Sequence, residues 1–316
     1  MLDSSQTITG ILPGFIEYMK VERHYSPKTI KKYLEDIQCF QRIAGDLEVA
    51  AVGLQHFITV KSALQSRGAQ CSRISGVVAA MKSLLRYGQD VLQLPVIDLG
   101  KIRGPRVPRK EVIYLTPEEL ATFSSAIPLT GPWSARRSVV GYGLRTLVEV
   151  LAASAMRISE VLALNRESID FQKREALIVG KGNKQRTVFF TQECLQWVDR
   201  YLLVRTDHSS ALFVTKNGDR LTTASVHKMF ERISDKAALG KRITPHILRH
   251  TAATNLLRNG CPIGYIKEIL GHDRLETTCH YYLGALNKAE AKDAFDSYMR
   301  YNAQFSKAAE GGRGVA

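Results

Sequence analysis

Residues 176–190 read ALIVGKGNKQRTVFF. Two short runs of apolar and β-branched residues, Ala176–Val179 and Arg186–Phe190, flank Gly180-Lys181-Gly182-Asn183-Lys184. Glycine and asparagine tolerate the backbone angles of a tight reversal, so the stretch predicts an antiparallel β-hairpin with Lys181 at its tip. Around it the apolar spacing is helical. Upstream, a strongly helical stretch runs from about Arg145 to Leu164. Downstream, Val226, Phe230, Ile233 and Ala237 recur at helical intervals, and Thr244-Pro245 opens another helix. Pro262 opens one more, with Ile263, Ile266, Ile269 and Leu270 on its buried face and Gly271 as its stop. One small antiparallel sheet among helices makes the chain mainly α (α+β).

Farther upstream, Leu115-Thr116-Pro117-Glu118-Glu119 marks where this mixed domain opens. Thr116 is an N-cap, Pro117 takes the first helical position, and Glu119 completes a capping box. Before it lies KIRGPRVPRK, Lys101–Lys110, which holds bases, prolines and a glycine but no acid. It reads as an extended basic linker, suited to lie along phosphates through Arg103, Arg106, Arg109 and Lys110. The chain before it is helical. Ser26 and Pro27 start a helix whose apolar face carries Ile30, Tyr33, Leu34, Ile37 and Phe40. Lys28, Lys31 and Lys32 fall on its other faces, either as solvated surface or as contacts to a nucleic-acid backbone. Val77, Met81, Leu84 and Leu85 mark a second amphipathic stretch that is expected to end near Gly88. The predicted organisation is a helical domain over 1–100, a linker over 101–112, a mixed domain over 113–303 and a disordered tail over 304–316.

The charge balance narrows the partner. There are 44 Lys+Arg against 30 Asp+Glu, a formal net charge of +14. An excess of that size favours a polyanion, nucleic acid before an acidic membrane surface. Cys39, Cys71, Cys194, Cys261 and Cys279 are scattered and form no CxxC pair, as in a reducing compartment. With no signal-peptide pattern and no apolar run of membrane-spanning length, the expected location is cytoplasmic, with no membrane partner.

Four features of the second domain carry chemistry. Arg157 sits in AMRISE, three residues before Glu160; Lys181 sits at the hairpin tip. His246 and Arg249 open a helix in HILRH; Gly271-His272 is followed nine residues later by Tyr281, which has Tyr282 beside it. Each alone has an ordinary explanation: an Arg–Glu pair on one helix, a solvated lysine, a tyrosine in a core. His246 and His250 have the spacing of two metal ligands, but no carboxylate or cysteine completes a set, so no metal is predicted. Together the residues suit transesterification at a phosphodiester. That reaction needs a nucleophile that leaves a stable ester, cations over the non-bridging oxygens, a base and an acid. Two arginines suit the second need, because the planar guanidinium forks onto phosphate oxygens and stays charged.

At these residues the chain resembles the tyrosine recombinase (phage integrase) family, in its Xer-like or simple integrase form. The resemblance runs over most of residues 12–300 and is most specific from 145 to 285. Its pattern of Arg, hairpin Lys, H-x-x-R, Gly-His and Tyr is matched by Arg157, Lys181, His246 with Arg249, Gly271-His272 and Tyr281. The resemblance implies a helical core-binding domain and a catalytic domain that close as a C-shaped clamp on duplex DNA. It implies that Arg157 and Arg249 hold the scissile phosphate, and that His246 acts as base or phosphate ligand. His272 would support the transition state, Lys181 would be the general acid, Glu160 would position its neighbours, and Tyr281 would form a 3′-phosphotyrosyl bond. Lys184 and Arg186 of the hairpin join the expected DNA contacts. No cofactor is implied. The implied partners are a double-stranded DNA recombination site, three further copies of the chain in a homotetramer and accessory DNA-bending or directionality proteins. The helix after Asn287 is expected to dock on a neighbouring subunit. A bacterial, nucleoid-associated setting follows from the resemblance alone. One departure is Ala153-Ser154-Ala155-Met156 before Arg157, where many members have Thr-Gly. The main competing reading is a type IB topoisomerase-like enzyme that cuts one duplex without synapsis; a non-catalytic DNA-binding protein on the same fold is the third.

Overall fold

The structure, a computed structural model, describes residues 6–106, 112–129, 135–180 and 184–272, with 135–138 in backbone only. The chain divides into two units, Met1–Lys110 and Glu111–Ala316. The first is built from helices α1 (Ile8–Val21), α2 (Pro27–Ala44), α3 (Leu54–Ser66) and α4 (Cys71–Asp90). Ser26 caps α2 by accepting from the Thr29 backbone N–H at 3.2 Å, with Pro27 at the first helical position. Of the predicted stripe, Ile30, Ile37 and Phe40 are buried, and Phe40 meets Phe57 of α3 with ring centroids 5.1 Å apart. Each such side chain withdrawn from water contributes about 1.5–3 kcal/mol. Helix α4 continues past Gly88 to Asp90, because that glycine is a packing contact: a Cβ there would lie 3.0 Å from Val49 Cγ1.

Buried Asp36 of α2 receives Lys32 from one turn away, at 2.7 Å, and Arg73 from α4. The basic segment after α4 packs on this same unit as far as Arg106. Ile102 is buried, and Lys82, Lys61 and Ser75 donate to the carbonyls of Ile102, Arg103 and Pro105. Arg103 and Arg106 keep exposed side chains.

The second unit opens with α5 (Pro117–Ser125), where Thr116 accepts from the Glu119 N–H and Glu119 Oε2 accepts from the Thr116 N–H. Next come α6 (Ala135–Ser154), α7 (Ile158–Ala163), β1 (Ile169–Asp170), β2 (Glu175–Val179) and β3 (Gln185–Phe189). Helices α8 (Gln192–Leu203), α9 (Thr223–Ala237), α10 (Pro245–Arg258) and α11 (Ile263–Leu270) complete the described part. The predicted hairpin strands are β2 and β3, antiparallel with Ile178 opposite Arg186. The short β1, not predicted, adds to the other edge of β2. Ala176, Ile178 and Val188 point into the core beside α6 and α8. The mainly α architecture with one small antiparallel sheet is the one predicted.

The helix expected from Arg145 to Leu164 is broken. It ends at Ser154, whose Oγ turns back to the Val150 carbonyl at 2.6 Å. Ala155 then adopts φ +53°, a left-handed conformation that costs a residue with a Cβ about 1–2 kcal/mol. Neither glycine nor proline marks the break. Tertiary contacts hold it: Arg249 Nη1 donates to the Ala155 carbonyl at 2.7 Å, and Glu160 caps the new helix.

Candidate active site

The break makes Arg157 the N-cap of α7. Its backbone N–H donates to Glu160 Oε2 at 2.8 Å and its Nη1 to Glu160 Oε1 at 2.9 Å. Its Nη2 donates to the Gly271 carbonyl at 3.0 Å, which ties α7 to the end of α11. Gly271 is the left-handed C-cap of α11, with φ +60°, as its place after Leu270 predicts. Arg186, in β3, places Nη1 and Nη2 on the two oxygens of Glu160 at 2.9 and 2.8 Å. Burial alone would raise the Glu160 carboxyl. Hydrogen bonds from Arg186 and Arg157, with their charges, outweigh it and hold the group at about 2.

Arg157, Gly180, Lys184, Gln185, Arg186 and His272 share one cleft of about 220 Å³ with Lys267, Glu268 and Gly271. The second arginine of the predicted pair lies behind it. Arg249 is buried, with Nη1 on Ala155 and Nη2 on the Leu270 carbonyl at 2.5 Å. It braces the two turns that carry Arg157 and His272. The Thr244 cap and Pro245 start α10 so that His246, Arg249 and His250 fall in its first turns. The His246 ring meets the His250 ring edge to face, with centroids 4.3 Å apart.

All three imidazoles are shifted toward their neutral form. Burial, then the nearby arginines Arg249, Arg157 and Arg186, bring His272 down to about 4. His250 is brought to about 4 by burial, then His246, Arg249 and His272. The packed side of His246, then Arg249 and Arg157, lower that imidazole as well. A positively charged cleft with neutral imidazoles suits an anionic ligand that brings its own charge.

The structure thus brings together Arg157, Glu160, Lys184, Arg186, His246, Arg249 and His272. Arg186, expected as a DNA contact, forks onto Glu160 instead of standing free. Lys28, Lys31 and Lys32 are exposed, Lys32 with its ammonium on Asp36. Lys181, Tyr281, Tyr282, Arg109, Lys110, the helix after Asn287 and the tail lie outside the described residues. The sequence reading missed Lys267, which lines the cleft from one turn before Gly271; it paired His250 with His246 only as possible metal ligands. The i, i+4 spacing in each case is the available signal. Among the described residues no helix is long and apolar enough to cross a membrane.

Residues 115–288 match the phage integrase family, and residues 12–89 match the phage integrase N-terminal SAM-like domain. Tyrosine recombinase XerC of Chlamydia muridarum is 33% identical over 295 residues, covering 85% of this chain and 91% of that protein. The XerC of Proteus mirabilis is 29% identical over 302 residues, covering 93% and 96%. Among solved structures, XerH recombinase bound to a palindromic difH substrate in a post-cleavage complex aligns with a TM-score of 0.70 at 22% identity. The alignment covers 91% of this chain and 85% of that one. The Tn1549 transposon integrase in complex with a circular intermediate DNA aligns with a TM-score of 0.71 at 18% identity, over 91% and 99%. The two structures share the fold.

Proposed function

The chain belongs to the phage integrase family and is a site-specific tyrosine recombinase, and on that premise we propose how its cleft divides the work of strand exchange. The observation that carries the proposal is the convergence of Arg157, His272 and the base of the hairpin on one cleft, with Arg249 behind it. The scissile phosphate sits over Arg157 and Arg249, whose charge offsets the negative charge that gathers on the non-bridging oxygens. His272 supports the transition state, and His246 serves as base or phosphate ligand. Tyr281 Oη gives up its proton to His246 as base and attacks phosphorus, the P–O5′ bond breaks, and Lys181 delivers a proton to the departing 5′ oxygen. The 3′-phosphotyrosyl ester keeps the bond energy, and attack by a 5′-hydroxyl reverses the step.

Around this centre, both units contact duplex DNA. Lys28, Lys31, Lys32, Arg103, Arg106, Arg109, Lys110 and Lys184 contribute backbone contacts. Four copies assemble on two sites, linked by exchange of the helix after Asn287, with accessory proteins setting direction and the bacterial nucleoid as the setting. The biological outcome is integration and excision of a mobile element or resolution of multimers.

The test is a supercoiled plasmid with two direct copies of the native site, incubated with a chelator and without ATP. Wild type should resolve it into two circles. Arg157→Ala and Arg249→Ala should bind the sites and leave the plasmid whole. Relaxation by a monomer at random positions, without resolution, would instead identify topoisomerase-like chemistry.

A further inference from the structure

Glu160 carries one negative charge between two guanidiniums. Its Oε1 accepts from the Nη1 atoms of both Arg157 and Arg186, and its Oε2 accepts from the Arg157 backbone N–H and Arg186 Nη2. The trio is therefore one positive charge in excess, and burial decides which member carries it outward. The Arg186 side chain is 15% exposed and that of Arg157 is 34%. Both terminal nitrogens of Arg186 engage the carboxylate, and its Nε makes no hydrogen bond among the described residues. Both arginines line the cleft; Arg157 is the more exposed and holds the carboxylate with one terminal nitrogen only.

We propose that Arg186 is a positioning residue for strand cleavage: as the less exposed of the two arginines, it neutralises Glu160, so that Arg157 keeps its full charge for the scissile phosphate. The inference rests on the assignment of Arg157 to that phosphate. Without Arg186, a carboxylate in a largely dry site has Arg157 as its counterion, and the pair sums to zero facing the DNA. The surrounding backbone is shaped to this arginine. A Cβ on Gly180 would lie 3.2 Å from Arg186 Nη1, and one on Gly271 would lie 3.0 Å from Arg186 Cζ. Gly271 also receives Arg157 Nη2, so one turn of chain fixes the distance between the two guanidiniums. Arg186 also joins β3, at the base of the hairpin, to α7 through Glu160. DNA affinity is spread over many phosphates and depends little on this one charge. The rate of cleavage depends on it directly.

A methylphosphonate at the scissile position removes the negative charge that the arginine is needed to offset. Single-turnover cleavage is measured on phosphate and methylphosphonate duplexes, each variant against wild type on the same duplex, with DNA affinity as the control for folding. On the phosphate duplex, Arg186→Gln should cleave about 100-fold more slowly with unchanged affinity. Arg186→Lys keeps the charge without the fork and should lose about 10-fold; it carries the test if the glutamine variant fails to fold. On the methylphosphonate duplex both should approach wild type, as Arg157→Ala should. If Arg157→Ala is not rescued, the assignment of Arg157 to the phosphate fails. If Arg157→Ala is rescued while the Arg186 variants keep their defects, Arg186 does not act through the charge of Arg157, and the inference is overturned.

Discussion

Asp36 in the first unit and Glu160 in the second are both buried carboxylates, and each is met by two cations. Asp36 takes Lys32, which is exposed, from its own helix and Arg73, which is half-buried, from α4. Glu160 takes Arg157 from its own helix and Arg186 from β3, but its surroundings differ. Neutral histidines, a cleft and a left-handed alanine adjoin it. The same electrostatic device therefore serves two ends. Between α2 and α4 it joins helices. Where both cations line a cleft and one is the less exposed, it is proposed to prepare a charge for a ligand. Backbone strain gathers at the second place only where surrounding contacts enforce it.

The contrast can be broken most directly by removing each carboxylate's charge. Asp36→Asn and Glu160→Gln should each lower stability by about 2–3 kcal/mol in urea unfolding, since a partly buried cation loses its counterion. Cleavage at saturating DNA should hold in Asp36→Asn and fall by about 100-fold in Glu160→Gln, where Arg157 loses its anchor. Equal catalytic losses would erase the distinction.

Acid sharpens the same comparison. His250 and His272 lie near 4 in the folded second unit, against an ordinary 6.5. Between those values the unfolded chain binds more protons than the folded one, so this contribution to stability shrinks as pH falls from about 6.5 to about 4. Glu160 acts at lower pH: its contribution is full above about 4.5 and is lost as pH falls toward about 2. Hydrogen exchange between pH 7 and 4 should show α10 and the end of α11 losing protection before α2 and α4. NMR of His272 should give a midpoint near 4 in the free protein. Bound DNA, by adding negative charge, should move it upward.

The smallest expected effect concerns the strain. Ala155→Gly should raise stability by about 0.5–1 kcal/mol in thermal unfolding, because glycine takes the left-handed conformation freely, less the entropy it adds to the unfolded chain. A loss of stability would mean that the alanine methyl is packed well enough to outweigh the backbone strain.

Ala155 also shows what the sequence conveys and what it withholds. The caps at Ser26, Thr116 and Thr244, the stop at Gly271 and the strands of the hairpin were legible because each is set by residues within a few positions. The break after Ser154 was not. The Ala155 carbonyl is held by Arg249, 94 positions away, and the residue at the turn is an alanine, which gives no local sign of a left-handed turn. The members of the site were legible through the spacing of Arg157, H-x-x-R and Gly-His. The fork of Arg186 on Glu160 was not, since nothing local distinguishes a strand arginine that meets a carboxylate from one that meets DNA. In the same way, the chemistry of KIRGPR marked a linker, while the burial of Ile102 against the first unit depends on contacts remote in sequence.

The central claim is that this cleft presents a phosphate to Tyr281. A nicked suicide duplex carrying the native site, incubated without metal or ATP, tests it most directly. Wild type and Tyr282→Phe should each yield an SDS-resistant adduct on the DNA 3′ end, and Tyr281→Phe should bind the duplex and yield none. An adduct that persists in Tyr281→Phe and disappears in Tyr282→Phe would contradict the assignment of the nucleophile. No adduct from wild type on a site it demonstrably binds would contradict the chemistry.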